Sequence, residues 1–195
     1  MESKLNFFDR RARDWEETCY PEPVRAQLCD LVKEFGVTPG ERLLDVGTGS
    51  GVLIPYLRCM VGDSGQMCAF DLSHEMVKQA YQKQRSSDDI IVQANVHNIP
   101  FNSNVFDRVI CFAAFPHFND AGQAIREMGR VLRPGGTLII AHLMSRKELA
   151  EHHAKHESVA RDVLPDDQRM TMLFMEAMLP PPKITNRPGR YLAMN

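Results

Sequence analysis

No stretch of this chain is apolar for long enough to cross a bilayer as a helix. Its N-terminus, MESKLNFFDRRARDWEE, is charged and amphipathic and lacks the apolar centre of a secretory signal. Cysteine is sparse and badly spaced for crosslinking. There are 5, an odd number, none arranged as C-x-x-C. That excludes a disulfide framework and points to reduced thiols in the cytoplasm. Tryptophan occurs once, and the formal net charge is only −2 with no basic stripe, so nucleic acid is not the expected partner. Nor is there an internal repeat or a low-complexity tract. What is present is ordinary for a globular chain: 195 residues, 44% hydrophobic and 25% charged, enough to bury a core in a single domain.

The rest of the chain is organised around residues 41–55, ERLLDVGTGSGVLIP. Leu43, Leu44 and Val46 form a short apolar run of the kind that becomes a buried parallel strand. Gly47, Gly49 and Gly51 follow at G-x-G-x-G spacing. Glycines this dense weaken a helix or strand interior, but they serve a tight turn whose backbone lies against a ligand. A strand entering such a turn and leaving as a helix is the nucleotide-binding corner of a doubly wound sheet. The dinucleotide fingerprint needs its third glycine one residue later, where this chain has Val52. Asp45 precedes the loop. A carboxylate there repels a diphosphate and suits an ammonium group. Acid followed by G-x-G-x-G resembles motif I of the class I S-adenosylmethionine-dependent methyltransferases.

Further segments extend the resemblance in order over residues 41–142. Met67 to Phe70 form a second strand ending at Asp71, twenty residues beyond Gly51, where an acid can accept both ribose hydroxyls of an adenosine. Ser73 then N-caps a helix through Met76, Val77, Ala80 and Tyr81. Ile90 to Val92 form strand three. The following ANVHNIPF resembles the family's G-D-(A/V)-x-x-L-P-F, with Asn95 in place of the acid that contacts adenine. An amide oxygen still accepts an N–H, without charge assistance. Residues 105–111 are strand four and resemble the family's F-D-x-V, with Asp107 read as structural. LRPGGT, residues 132–137, resembles another family segment and turns into strand five, 138–141. The resemblance implies S-adenosylmethionine as cofactor, held by Asp45, Gly47, Thr48, Gly49, Gly51, Asp71, Leu72, Met76, Asn95, Val96 and Phe112.

The expected fold is α/β: a Rossmann-like, doubly wound, seven-stranded mixed sheet with an antiparallel C-terminal hairpin. Residues 1–195 are read as one methyltransferase-like domain. Within it lie an N-terminal helical cap (1–37), a cofactor-binding core (41–142) and substrate-side helices with the terminal hairpin (143–195). The cap is expected as one amphipathic helix over 5–17 and a second ending at Gly36. In the family such helices cover the cofactor, although Trp15 can equally pack on the sheet. Helices are also expected over 50–60, 119–132 and 167–179. The methionines of the last, Met170, Met172, Met175 and Met178, read as adaptable core packing. Residues 183–185 and 190–193 should pair around Arg187-Pro188-Gly189.

The implied reaction is direct in-line attack on the sulfonium methyl by a small-molecule acceptor, with no covalent enzyme intermediate. His117, in FAAFPHF after strand four, is the first candidate proton acceptor, followed by His142 and His153. A helix starting near Ser145, with Glu148 closing a capping box, carries His152, His153 and His156. A shared helical face there allows a rival reading, a metal- or metallocofactor-binding protein on the same fold. No metal ligand is assigned, because the set lacks an H-E-x-x-H pattern and a cysteine partner. A second rival is an NAD-dependent oxidoreductase. The composition sets neither the acceptor nor the oligomeric state.

Overall fold

The computed structural model describes residues 3–195. Three helices come first: α1 (Lys4–Arg11), α2 (Trp15–Cys19) and α3 (Glu22–Lys33). The single helix expected over 5–17 is broken between Ala12 and Asp14. A ring contact accompanies the break. Residues seven apart on a continuous helix lie about 10 Å apart along its axis. Here the rings of Phe8 and Trp15 meet edge to face at 5.6 Å.

The sheet follows as β1 (Arg42–Val46), β2 (Gln66–Asp71), β3 (Ile90–Gln93), β4 (Phe106–Phe112), β5 (Leu132–His142), β6 (Lys183–Arg187) and β7 (Arg190–Met194). Their spatial order is β3-β2-β1-β4-β5-β7-β6, so the expected seven-stranded mixed sheet is present. The pairs from β3 to β5 are parallel. β7 joins β5 antiparallel and pairs with β6 as a hairpin. The sequence direction reverses between β1 and β4, and the ligand crevice of an open α/β sheet lies at that switch. β5 begins at Leu132, earlier than expected. Leu132 pairs with Phe106, and regular pairing resumes at Thr137 opposite Arg108 after a register shift. Asp107 is structural, as expected: its Oδ2 accepts the Arg42 N–H at 2.6 Å.

Helices cover both faces. α4 (Ile54–Val61), α5 (His74–Tyr81), α6 (Ala121–Val131), α7 (Arg146–His153) and α8 (Asp167–Glu176) complete the fold. α4 starts later than expected because residues 50–53 form turns, which leaves Pro55 in the first helical turn where its missing N–H costs nothing. α7 has the expected capping box between Ser145 and Glu148, but it ends at His153. His156 therefore lies in the turns beyond it, although its ring remains 5.6 Å from that of His152. α8 ends at Glu176. Of its expected core methionines only Met170 is buried; Met172, Met175 and Met178 are exposed, while Leu173 and Phe174 supply the packing. One hydrophobic cluster gathers Leu44, Phe70, Cys111, Met128 and Phe174. The other, across the sheet, gathers Leu31, Leu43, Leu57, Ile110 and Ile139. Alternation along the strands divides them.

Gly51 fixes how closely the helix layer approaches the sheet. Its φ is +80°, and a Cβ there would lie 2.8 Å from Ile54 Cδ1 and 2.9 Å from Ala80 Cα. Gly51→Ala is expected to lower stability by about 2 kcal/mol or more, from strain and overlap together. Urea denaturation checks this; an unchanged midpoint would show that α4 and α5 move apart freely.

Candidate functional site

A cavity of ≈ 180 Å³ lies at the carboxyl end of the strands where β1 and β4 diverge. Gly47, Thr48, Gly49, Asp71, Leu72, Met76, Asn95, Val96 and Phe112 all contribute to its wall. The glycine turn after β1 passes directly beside it. Gly49 has φ +55°, and an added Cβ would meet nothing within 4 Å, because that side faces open space. Asp71, at the end of β2, accepts the Gly49 N–H at 2.9 Å through Oδ2 and the Ser73 N–H at 2.9 Å through Oδ1. Burial pushes its pKa up while these backbone donors oppose the rise. An ionised carboxylate has about four lone-pair sites, so two backbone bonds leave acceptor capacity for a ligand.

Asp45 and Gly51 are absent from that wall. Gly51 shapes helix packing, as above. Asp45 is 1% exposed and lies beneath the turn, where Thr48 Oγ1 donates to its Oδ2 at 2.6 Å. Burial raises its pKa to about 7. Asp45 therefore braces the glycine turn from below, and the carboxylate that faces the cavity is Asp71. Asn95 Oδ1 accepts the His97 N–H at 3.0 Å, which holds the loop after β3 against the same space.

The N-terminal helices close the cavity. Lys4, Leu5 and Phe8 of α1, Trp15 of α2, and Tyr20 line it. Three groups of polar contacts fasten this cover. Ser73 Oγ donates to Asp9 Oδ1 at 2.5 Å. Ser50 Oγ donates to Glu16 Oε1 at 2.8 Å, and Glu16 also pairs with Lys83, whose ammonium donates to the Ser50 carbonyl at 2.7 Å. Lys4 Nζ donates to the His117 carbonyl at 3.1 Å and to Asp162 Oδ1 at 2.9 Å. Among the described residues Lys4 is the single Lys or Arg in the wall, and these two acceptors engage it.

A second cavity, ≈ 620 Å³, adjoins the first and shares Phe8, Trp15, Tyr20, Phe112, Ala113 and His117 with it. His142, His152, His153 and His156 also line it. The three candidate proton carriers thus come together, His117 at the junction and His142 and His153 farther in. Their hydrogen bonds separate them. His142 Nδ1 accepts the Met144 N–H at 3.1 Å, and burial drives its pKa down to about 3. A neutral ring accepting at Nδ1 carries its proton on Nε2, so His142 is a donor and not the proton acceptor expected of it. His153 Nδ1 lies 2.5 Å from the Asp162 carbonyl and must donate to it. His117 Nδ1 faces Asp162 Oδ2 at 2.8 Å. No sequence signal points to Asp162. It sits in the turns between α7 and α8, in a stretch without periodicity or motif. Among the described residues no group of three or more His, Cys, Asp or Glu is placed to hold a metal ion. No helix among them is long and apolar enough to cross a membrane.

Residues 44–140 match a family model described as a methyltransferase domain. A Serratia proteamaculans protein named as a ubiquinone/menaquinone biosynthesis C-methyltransferase is 34% identical over 134 residues, covering 67% of this chain and 53% of that one. The chain spans about half the length of the curated relatives it matches. Among solved structures, a SAM-dependent methyltransferase from Aquifex aeolicus aligns with TM-score 0.72 at 22% identity, covering 95% of this chain and 97% of that one. A Methanococcus maripaludis structure aligns with TM-score 0.76 at 21% identity, covering 100% and 95%. At such identities these two establish the fold alone.

The buried Asp45 sets a pH test. Its folded pKa, about 7, exceeds the 3.8 of an unperturbed Asp. Between those values the folded chain holds a proton that the unfolded chain gives up, so this contribution is full below the lower value and lost as pH rises through the upper. Asp45→Asn, which retains an acceptor for Thr48, should gain stability over the parent as pH rises from about 4 to 7. The gain should level off above that at a few kcal/mol, because each tenfold change in a proton-binding constant is worth about 1.4 kcal/mol. Urea melts across this range check it; a pH-independent difference would mean that Asp45 is ionised throughout.

Proposed function

We propose, from the match of residues 44–140 to a methyltransferase-domain family, that the chain is a class I S-adenosylmethionine-dependent methyltransferase that transfers the methyl group to a small molecule seated in the second cavity. The observation that carries the reading is the first cavity's wall: an open-sided glycine and an acid with spare acceptor capacity, with one already engaged lysine.

That wall fits S-adenosylmethionine. Asp71 is placed to accept ribose hydroxyls. Asn95, Val96, Leu72 and Met76 provide the amide oxygen and apolar surfaces that suit an adenine. The turn of Gly47, Thr48 and Gly49 admits the amino-acid portion. A pyrophosphate fits poorly, because Asp71 would face it and Lys4 is occupied. This argues against the nicotinamide reading. The metal-binding reading lacks a clustered ligand set among the described residues. When bound, S-adenosylmethionine supplies a methyl group already activated by its sulfonium. What this chain must add is alignment, worth up to about 7–11 kcal/mol when reacting atoms are held at near-attack distance. The α1–α2 cover adds exclusion of water from the first cavity.

Phe7, Phe8, Trp15, Tyr20 and Phe112 line the second cavity and suit a flat ring. The relatives' naming for C-methylation in ubiquinone and menaquinone biosynthesis agrees with a ring acceptor. The acceptor is therefore read as a small aromatic or quinone-type molecule, not a macromolecule.

Calorimetry with S-adenosylmethionine tests the reading. Asp71→Asn keeps a single amide oxygen, which can accept from Gly49 or from Ser73 but not from both, and removes the charge. It should weaken binding by roughly tenfold per charge-assisted bond lost, or about 1.5 kcal/mol each. Gly49→Val should abolish binding while circular dichroism shows a folded chain. Unchanged affinity in both would remove the first cavity as the cofactor site.

A further inference from the structure

Resting on the methyl-transfer reading, we propose that Asp162 is a positioning residue that fixes His117 as the proton acceptor of the second cavity, and that the acceptor is a hydroxylated ring that loses its O–H proton to His117 Nε2. The juxtaposition is Lys4–Asp162–His117. Asp162 is buried and gives one carboxylate oxygen to Lys4 at 2.9 Å and the other to His117 Nδ1 at 2.8 Å. An acceptor-only carboxylate at Nδ1 requires the proton to sit there, which turns the Nε2 lone pair outward. The same carboxylate then stabilises the imidazolium that forms. The Asp162 carbonyl receives the Nδ1–H of His153, so one residue orients two of the cavity's rings.

The remaining surroundings are compatible with proton uptake at His117. The ring of His153 lies 5.0 Å away, and that of Phe8, from α1, lies 5.0 Å on another side. The other charged or imidazole groups are Lys4, held by Asp162, and, on the walls of the second cavity, His142, His152, His156, Arg10, Arg11 and Asp14. His142 is neutral and carries its proton on Nε2, so it offers a donor to an oxygen of the same ligand. Aromatic walls, a hydrogen-bond donor at His142 and, at His117, an oriented base backed by a carboxylate suit a phenol or an enolised quinol. In the reaction the O–H bond breaks and its proton goes to His117 Nε2. The phenolate electron pair, through oxygen or the conjugated ring carbon, forms the bond to the methyl carbon. The carbon–sulfur pair stays on sulfur, which becomes a thioether. For attack through carbon, the proton on the methylated ring carbon passes to solvent water, and the dienone oxygen takes back the proton held by His117 as the ring regains aromaticity.

4-Nitrophenol is the probe, because its phenolate is seen directly by absorbance. In wild-type protein, with and without S-adenosylhomocysteine, the bound phenol should be at least about half ionised one pH unit below its own pKa, a tenfold or greater shift in the phenolate ratio. In His117→Gln the bound probe should stay neutral. Asp162→Asn should do the same, since an amide can donate to Nδ1 and force the proton onto Nε2. Asp162→Asn should still bind S-adenosylmethionine, because Asp162 lines neither cavity and the amide oxygen of Asn can go on accepting from Lys4. ¹⁵N spectra of unsubstituted protein provide a check that no folding defect can confuse: His117 should show Nδ1–H and an unprotonated Nε2. A bound probe ionised equally in all three proteins, a probe that does not bind, or the opposite tautomer would overturn the assignment. Intact S-adenosylmethionine binding with any of those results would sink this proposal alone. Loss of that binding in the wild type would sink the methyl-transfer reading as well.

Discussion

One carboxylate ties the site to the sheet. Asp71 ends β2 and holds the backbone N–H of Gly49, in the turn after β1, and that of Ser73, at the start of α5. Two neighbouring strands therefore deliver their loops in a fixed relation, and the space between those loops is the first cavity. Hydrogen bonds to an ionised acceptor are the strong kind. The glycine turn needs such a restraint, because glycines give the backbone its widest freedom when unfolded and hold no shape by themselves. Asp45 reinforces the same turn from beneath through Thr48, so the loop is held by acids on two sides.

The parts of this arrangement that were legible in the sequence are local. The apolar run of β1, the glycine spacing, the acid ending β2 and the Ser73 cap each depend on residues a few positions apart, and the motif carries them. Asp45 shows the limit of that kind of reading. A carboxylate beside a ligand loop can face the ligand or the strand beneath, and residue spacing does not distinguish the two; 1% exposure does. The first helix shows another limit. Period and spacing support a continuous helix over 5–17, yet the chain turns after α1 and the rings of Phe8 and Trp15 meet. Local preference was overridden there, and α7 likewise stops short of His156.

Lys4 and Asp162 were beyond reach for a different reason. Their bond spans 158 positions, and the Asp162 contact to His117 spans 45. Neither residue sits in a motif, and a lysine near a chain's start or an aspartate in a turn has many ordinary explanations. Only folding brings α1, the turn after β4 and the segment after α7 to one point. The histidines show the same division. Their clustering between 142 and 156 is plain in the sequence, but which ring donates and which accepts depends on Met144, Asp162 and the depth of burial.

The fastening of α1 has a consequence for the timing of exchange. Lys4 is both a wall of the first cavity and a partner of the carboxylate that orients His117. Raising α1 would part Lys4 from Asp162, and the freed carboxylate would then have one holder fewer. Opening the door and slackening the ring are thus a single displacement, so the interval in which solvent enters is also the interval in which the imidazole is least firmly aimed.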